Sequence, residues 1–325
     1  REAEAAAGIA GRALLARIEA ERLGRFTPLA ERDLFDTEFW PPEQEKLRRE
    51  LRPTLAGRVA LVTGGAGAIG AGVARALAEK GARVFLADRP GTYHQERLAR
   101  AVAEAGRDGL SASVTPCAFD VTDRADVERA FLELALAAGG VDLLVLSHGA
   151  ALVGDIAALE AERLSAVFEI NALGSFHVLG AFSRQAQAHG TGGDVVLIST
   201  KNVPEPGASF GAYSASKAAA HQLARVAAIE LAPLGVRVNM VSPDAVFGDA
   251  ATPSLLWQTV GTERARSRNI DPATLPEQYR QRNLLKLSVT ARHCAEAVLF
   301  FVERRTPTTG AVIPVDGGLP GAFPR

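Results

Sequence analysis

The chain has little of what builds disulfides, metal clusters or basic surfaces. Only two cysteines, Cys117 and Cys294, occur in 325 residues. They lie far apart without metal-type spacing, which excludes a disulfide framework and fits a reducing, cytoplasmic setting. Six histidines are scattered with no HxH or HxxxH pair, so no metal ligands are expected. The formal net charge of −1 gives no support for nucleic acid or an anionic membrane as partner. No uninterrupted apolar run reaches transmembrane length, and the first residues lack a signal-peptide pattern. Tyrosine occurs three times and lysine five times, against 31 arginines. The sequence opens on Arg1 rather than Met, as expected of a piece excised from something longer.

What is present is a large apolar fraction, 47% hydrophobic residues, enough for one large domain with an appendage. We expect a helical N-terminal extension over 1–54 and a main domain over 55–325. Residues 1–24 carry Ile9, Leu14, Leu15, Ile18 and Leu23 near helical spacing. Residues 26–53 hold an aromatic cluster, Phe35, Phe39 and Trp40, then a short charged helix at 43–51.

The composition changes at Gly57. Arg58-Val-Ala-Leu-Val62 reads as a buried strand, and Thr63-Gly-Gly-Ala-Gly-Ala-Ile-Gly70 leads into a helix from about Ala71. Gly65, Gly67 and Gly70 satisfy G-x-G-x-x-G in a strand–turn–helix context. The missing β-carbons let the backbone turn tightly and approach a pyrophosphate at the helix N-terminus. The next strand pattern ends in Asp88, about twenty residues on, where a carboxylate accepts ribose hydroxyls and repels a 2′-phosphate. NAD is therefore favoured over NADP, although Arg89 softens the preference. Asp120 ends a third strand and Thr122 is the expected N-cap of the helix that follows.

Strand patterns at 141–146, 194–200 and 236–241 alternate with helical stretches, implying an α/β Rossmann-type doubly wound parallel sheet with helices on both faces. The last strand is expected at 310–315. From 247 to 287 the pattern loosens into an arginine-bearing insertion with Arg264, Arg266 and Arg268. It reads either as a lid meeting an anionic group or, more simply, as a solvated helix face.

The chemistry concentrates between Ser199 and Lys217. A hydroxyl ends an apolar strand, a tyrosine follows fourteen residues later and a lysine four after that. Tyr213 and Lys217 share one helix face. A phenol of pKa about 10 is a weak base at neutral pH. A fixed ammonium one turn away is expected to lower that value, letting Tyr213 exchange a proton with an oxygen held by Ser199.

These motifs resemble the short-chain dehydrogenase/reductase family over roughly residues 55–320, through the 63–70 turn, Asp88, Asp120-Val121, Asn171, Ser199, Tyr213-x-x-x-Lys217, Arg237-Val-Asn239 and Val315-Asp-Gly-Gly318. The resemblance implies hydride exchange between nicotinamide and a carbinol or carbonyl carbon. Asn171, Ser199, Tyr213 and Lys217 would be catalytic. Cofactor contacts would fall on Gly64, Gly67, Ile69, Gly70, Asp88, Arg89, Asp120, Val121, Ser147, Gly149, Pro243 and Val246, with Tyr213 and Lys217. Three positions depart from the family pattern: Ala68 replaces a glycine, Leu146-Ser-His-Gly149 replaces an Asn-Asn-Ala-Gly strand end, and Asp244 replaces a glycine after Pro243. His148 is thereby placed to face the cofactor, and Asp244 to contact substrate or stabilise its loop.

A closer resemblance, carried by Phe35-Asp-Thr-Glu-Phe-Trp-Pro-Pro42, Ser199-Thr-Lys-Asn202, Ser242-Pro-Asp-Ala-Val246 and Ala322-Phe-Pro-Arg325, is to the C-terminal part of bifunctional aldolase/short-chain dehydrogenases. It implies NAD-dependent oxidation of L-lactaldehyde to L-lactate in L-rhamnose breakdown, an aldolase domain attached in the parent chain, and a homodimer or homotetramer. Two other readings stand beside it: a dehydrogenase of a sugar alcohol or sugar phosphate, and a non-catalytic NAD-binding module that assembles an aldolase.

Overall fold

The computed structural model describes residues 18–24, 53–107, 109–110, 113–250 and 252–323. The chain divides into two compact units, Arg1–Arg52 and Pro53–Arg325. In the first, residues 18–23 are helical, while the remainder of the expected helix and the aromatic cluster lie outside the described residues.

The second unit is built on seven parallel strands: β1 (Val59–Thr63), β2 (Arg83–Asp88), β3 (Val114–Ala118), β4 (Leu143–Leu146), β5 (Gly193–Ile198), β6 (Val236–Pro243) and β7 (Val312–Val315). Their spatial order is β3-β2-β1-β4-β5-β6-β7. β1 pairs with β2 on one side and β4 on the other, so the connections leave in opposite directions and open a crevice at the C-terminal strand ends. The expected doubly wound sheet is what the chain forms.

The two-residue period of β1 shows why both faces are covered. Val59 and Leu61 enter a core with Phe131, Val178, Phe182 and Ala224. Ala60 and Val62 enter the opposite core with Val73, Leu77, Leu98 and Val298. The first core is closed by α3 (Arg124–Ala138), α5 (Gly174–His189) and α6 (Gly211–Glu230). The second is closed by α1 (Ala68–Glu79), α2 (Thr92–Arg107) and α9 (Ala291–Val302). Helix α4 (Ala161–Phe168) runs through a π-turn, Glu169–Leu173, into α5. Together they make a continuous 29-residue helix, apolar enough to match a membrane span by length and composition. Val178 and Phe182 on it nevertheless sit in the sheet's core.

Three local expectations are corrected. Helix α1 starts at Ala68, three residues early, because Gly67 in extended conformation already serves as its N-cap. The cap of α3 is Asp123, whose carboxylate accepts from the Ala125 and Asp126 amides. Thr122 instead donates its hydroxyl to Asp120 at 2.7 Å. The insertion is not loose but helical, with α7 (Leu255–Ser267) and α8 (Leu275–Arg282).

At the N-terminal end of β5, Asp194 is 2% exposed and accepts from Arg58, Arg237 and Arg304. One carboxylate thus ties the starts of β1, β5 and β6 to the chain after α9. Removing it leaves part-buried guanidinium groups without their counter-charge. Asp194→Ala is expected to lower unfolding stability by about 3 kcal/mol, read as a lower urea midpoint, with cofactor affinity intact. An unchanged midpoint would contradict this.

Candidate active site

The crevice at the strand ends is a cleft of about 650 Å³. Every residue expected to touch the cofactor lines it: Gly64, Gly67, Ile69, Gly70, Asp88, Arg89, Asp120, Val121, Ser147, Gly149, Tyr213, Lys217, Pro243 and Val246. At one end the β1–α1 turn fits a phosphate cradle. A β-carbon on Gly70 would lie 2.3 Å from the Gly64 carbonyl oxygen. Gly64, at φ +70°, would drive one to 2.6 Å from the His148 amide nitrogen. Both glycines are required by close backbone approach, which leaves the N-terminus of α1 open to an anion.

Asp88 accepts from the Ala66 amide at 2.9 Å and from the Arg89 amide at 2.9 Å. Its carboxylate is thus fixed at the β2 end beside the glycine turn. Arg89 is turned to His94, with Nε 2.9 Å from Nε2. Asp120 is held by the Thr122 amide and hydroxyl. The residues therefore fit a dinucleotide: a backbone cradle would hold its phosphates, and the Asp88 and Asp120 carboxylates on the same cleft would accept from its hydroxyl and amino groups.

At the other end, Tyr213 and Lys217 project from α6. Burial pushes the Tyr213 phenol up to about 12, partly offset by a side-chain hydrogen bond from Thr200. The expected lowering of this value by Lys217 is not what the structure gives. The Lys217 ammonium donates to the Ile198 carbonyl at 2.9 Å and the His148 carbonyl at 3.4 Å, not to the phenol. Burial pushes Lys217 down to about 8.

Ser199, expected to hold the substrate oxygen, is committed elsewhere: its hydroxyl shares a 2.8 Å hydrogen bond with His221 Nδ1. The hydroxyl that lowers the phenol is that of the next residue, Thr200. Both residues line the cleft just past β5, and a sequence with Ser-Thr there does not reveal which hydroxyl is turned to the phenol.

Asn171 is fully buried in the π-turn and does not line the cleft. Its side chain accepts from the Ala150 amide and donates to the Ala150 carbonyl and Ser216 hydroxyl. It ties the loop after β4 to α6. His148 does line the cleft, but its ring bridges Thr63 and Ser175 at 2.7 and 3.2 Å. Burial and then Lys217 push it down to about 3, so it stays neutral and braces the strand ends. Asp244 is paired with Arg282 on α8, the loop-stabilising of its two expected roles. Arg264 is 3% exposed, against the solvated-face expectation, whereas Arg266 is exposed. Among the described residues no cluster of three His, Cys, Asp or Glu side chains is placed to hold a metal.

The short chain dehydrogenase family model matches residues 58–258. The chain belongs to the short-chain dehydrogenase family. It is thus an oxidoreductase of a family that binds nicotinamide cofactors. A second family model, the second domain of class II aldolases, matches residues 1–47. Uncharacterized oxidoreductase YuxG of Bacillus subtilis is 36% identical over 94% of this chain, which spans only 44% of that relative. A sorbitol dehydrogenase of Cereibacter sphaeroides is 33% identical over 60% of this chain and 73% of its own. A crystal structure of an actinorhodin polyketide ketoreductase variant with NADPH superposes at a TM-score of 0.71. It is 26% identical, over 81% of this chain and 97% of that one.

The buried lysine has a measurable consequence. Its folded-state value of about 8 lies below the ordinary 10.5, so the unfolded chain binds more protons between these pH values. Folding is therefore penalised below pH 8 and the penalty is relieved as pH rises. The melting temperature of wild type relative to Lys217→Met is expected to climb from pH 8 to 10.5. A constant difference would show that Lys217 titrates normally.

Proposed function

We propose that this chain oxidises L-lactaldehyde to L-lactate with NAD, as the dehydrogenase portion of an aldolase-linked polypeptide in L-rhamnose breakdown. The observation that carries this reading is the aldolase match over residues 1–47, directly ahead of the dehydrogenase match. The similarity to YuxG, over 94% of this chain but only 44% of that relative, supports a longer parent polypeptide.

Bound in the cleft, NAD supplies the hydride-accepting carbon. Asp88 supports the choice of NAD, because its fixed carboxylate sits where a 2′-phosphate would be repelled. The aldehyde reacts as its hydrate, a gem-diol whose carbon still carries hydrogen. That carbon gives up a hydride and one of its hydroxyls gives up a proton, leaving the carboxylic acid, which ionises. Thr200 holds the reacting oxygen and Tyr213 takes its proton. Burial keeps the Tyr213 phenol protonated before substrate binds, so oxidation requires that it first lose its proton. The Lys217 ammonium, one turn along α6, holds the Ile198 and His148 carbonyls beside the reacting groups. Asn171 keeps the loop after β4 in register with α6. The outward-facing apolar residues Phe176, Val226 and Ile229 on α5 and α6 support a homodimer or homotetramer.

The similarity to sorbitol dehydrogenase favours the second reading, a sugar-alcohol or sugar-phosphate dehydrogenase. Initial rates with L-lactaldehyde, sorbitol and sugar phosphates, each with NAD and NADP, separate the two. We expect NAD-dependent lactaldehyde oxidation; activity confined to polyols or their phosphates would replace the substrate. Thr200→Val should lower kcat at least about 100-fold, as loss of an oxygen-holding donor does. Ser199→Ala should cost less than about tenfold. The reverse order would return the role to Ser199.

A further inference from the structure

The mechanism above makes no use of Lys201. It directly follows Thr200, is 7% exposed and lines the cleft. Its ammonium has three donors but, among the described residues, one hydrogen bond, to the Glu205 carbonyl at 3.1 Å. The Glu205 carboxylate stands 4.0 Å away, past hydrogen-bond reach. Asp244, the other nearby carboxylate, is engaged by the guanidinium of Arg282 through both oxygens.

Charge around this ammonium is unbalanced. Burial above all, then Arg282 and Arg268 of the insertion, push it down to about 8, against the opposing pull of Glu205 and Asp244. Arg264, 3% exposed and also on the cleft wall, lies over the Phe210 ring and, among the described residues, donates to the Ala208 carbonyl and the Tyr279 hydroxyl but to no carboxylate. Four cations thus meet two carboxylates. Buried cations with free donors are costly unless an anion completes them.

We propose that Lys201, backed by the insertion's arginines, is a subsite for an anionic group of the substrate or product, a carboxylate or a phosphate. Consecutive Cα atoms are only about 3.8 Å apart. Lys201 and Thr200 also line the same cleft, so the ammonium serves a group at or within a few atoms of the reacting carbon, and the ligand is short. The inference rests on the dehydrogenase reading of the cleft; under the lactaldehyde assignment, the occupant is the carboxylate of L-lactate, formed at the reacting carbon itself, with one oxygen at Thr200 and Tyr213 and the other at Lys201.

The test is calorimetric, with the chain saturated with NADH at pH 7. L-lactate is compared with neutral L-lactamide, and glycerol 1-phosphate with glycerol. One anion should bind at least tenfold more tightly than its neutral counterpart, and which pair shows the gap identifies carboxylate or phosphate. Lys201→Met should erase the gap with NADH affinity unchanged, and Lys201→Arg should keep most of it. Equal affinities in wild type, or a gap that survives Lys201→Met, would overturn the subsite. If the Met variant fails to bind NADH, the wild-type comparison decides alone. An anion preference without lactaldehyde oxidation keeps the subsite and removes the substrate; oxidation without a preference does the reverse.

Discussion

One buried ammonium organises the functional end of this molecule. Lys217 reaches from α6 to the carbonyls of Ile198, at the end of β5, and His148, just past β4. Two strand ends and a helix are thereby fixed to one charged atom in a low-dielectric site, where such bonds are strong and their loss is costly. The same helix carries Tyr213 one turn earlier and His221 one turn later. The position of the phenol, the direction of Thr200 and the diversion of Ser199 to His221 all follow from where α6 is pinned. Asn171 and His148 reinforce this from behind, joining the loop after β4 to α6 and to β1.

The price of this arrangement is a set of perturbed groups around one cleft. Tyr213 is raised by burial, while Lys217 and Lys201 are lowered by it. Such displacement is common where proton transfer or charge recognition takes place. The insertion contributes as well: Val260 of α7 packs with Phe210 and Tyr213, and Phe247, Trp257 and Tyr279 stack beneath its arginines. What reads as a loose segment in the sequence is a folded cover over the reacting end of the cleft.

The fold was legible because its signals are periodic. Apolar runs at β1, β4 and β5, each ending in small or polar residues before a helix, leave few arrangements other than a parallel sheet. Asp88 and the 63–70 turn were legible through spacing. Misreadings arose where a choice depends on side-chain direction. Ser199 and Thr200 differ by one residue, and only strand register tells which hydroxyl faces the phenol. Thr122 and Asp123 are both good caps, and only backbone direction selects one. Arg264 looks like any other arginine of its run until α7 and α8 close around it. Lys201 stood in the Ser199–Asn202 run without a role of its own, and only the fold shows that its buried ammonium has a single hydrogen-bond acceptor among the described residues.

The central claim is that Tyr213 governs hydride removal from an aldehyde hydrate held in this cleft. It is tested most directly with L-lactaldehyde deuterated at C1, following the label by NMR. Deuterium is expected at C4 of the reduced nicotinamide with L-lactate formed in equal amount, and both should be lost in Tyr213→Phe with cofactor affinity retained. Lactate formed without label transfer, or transfer undiminished in Tyr213→Phe, would contradict it.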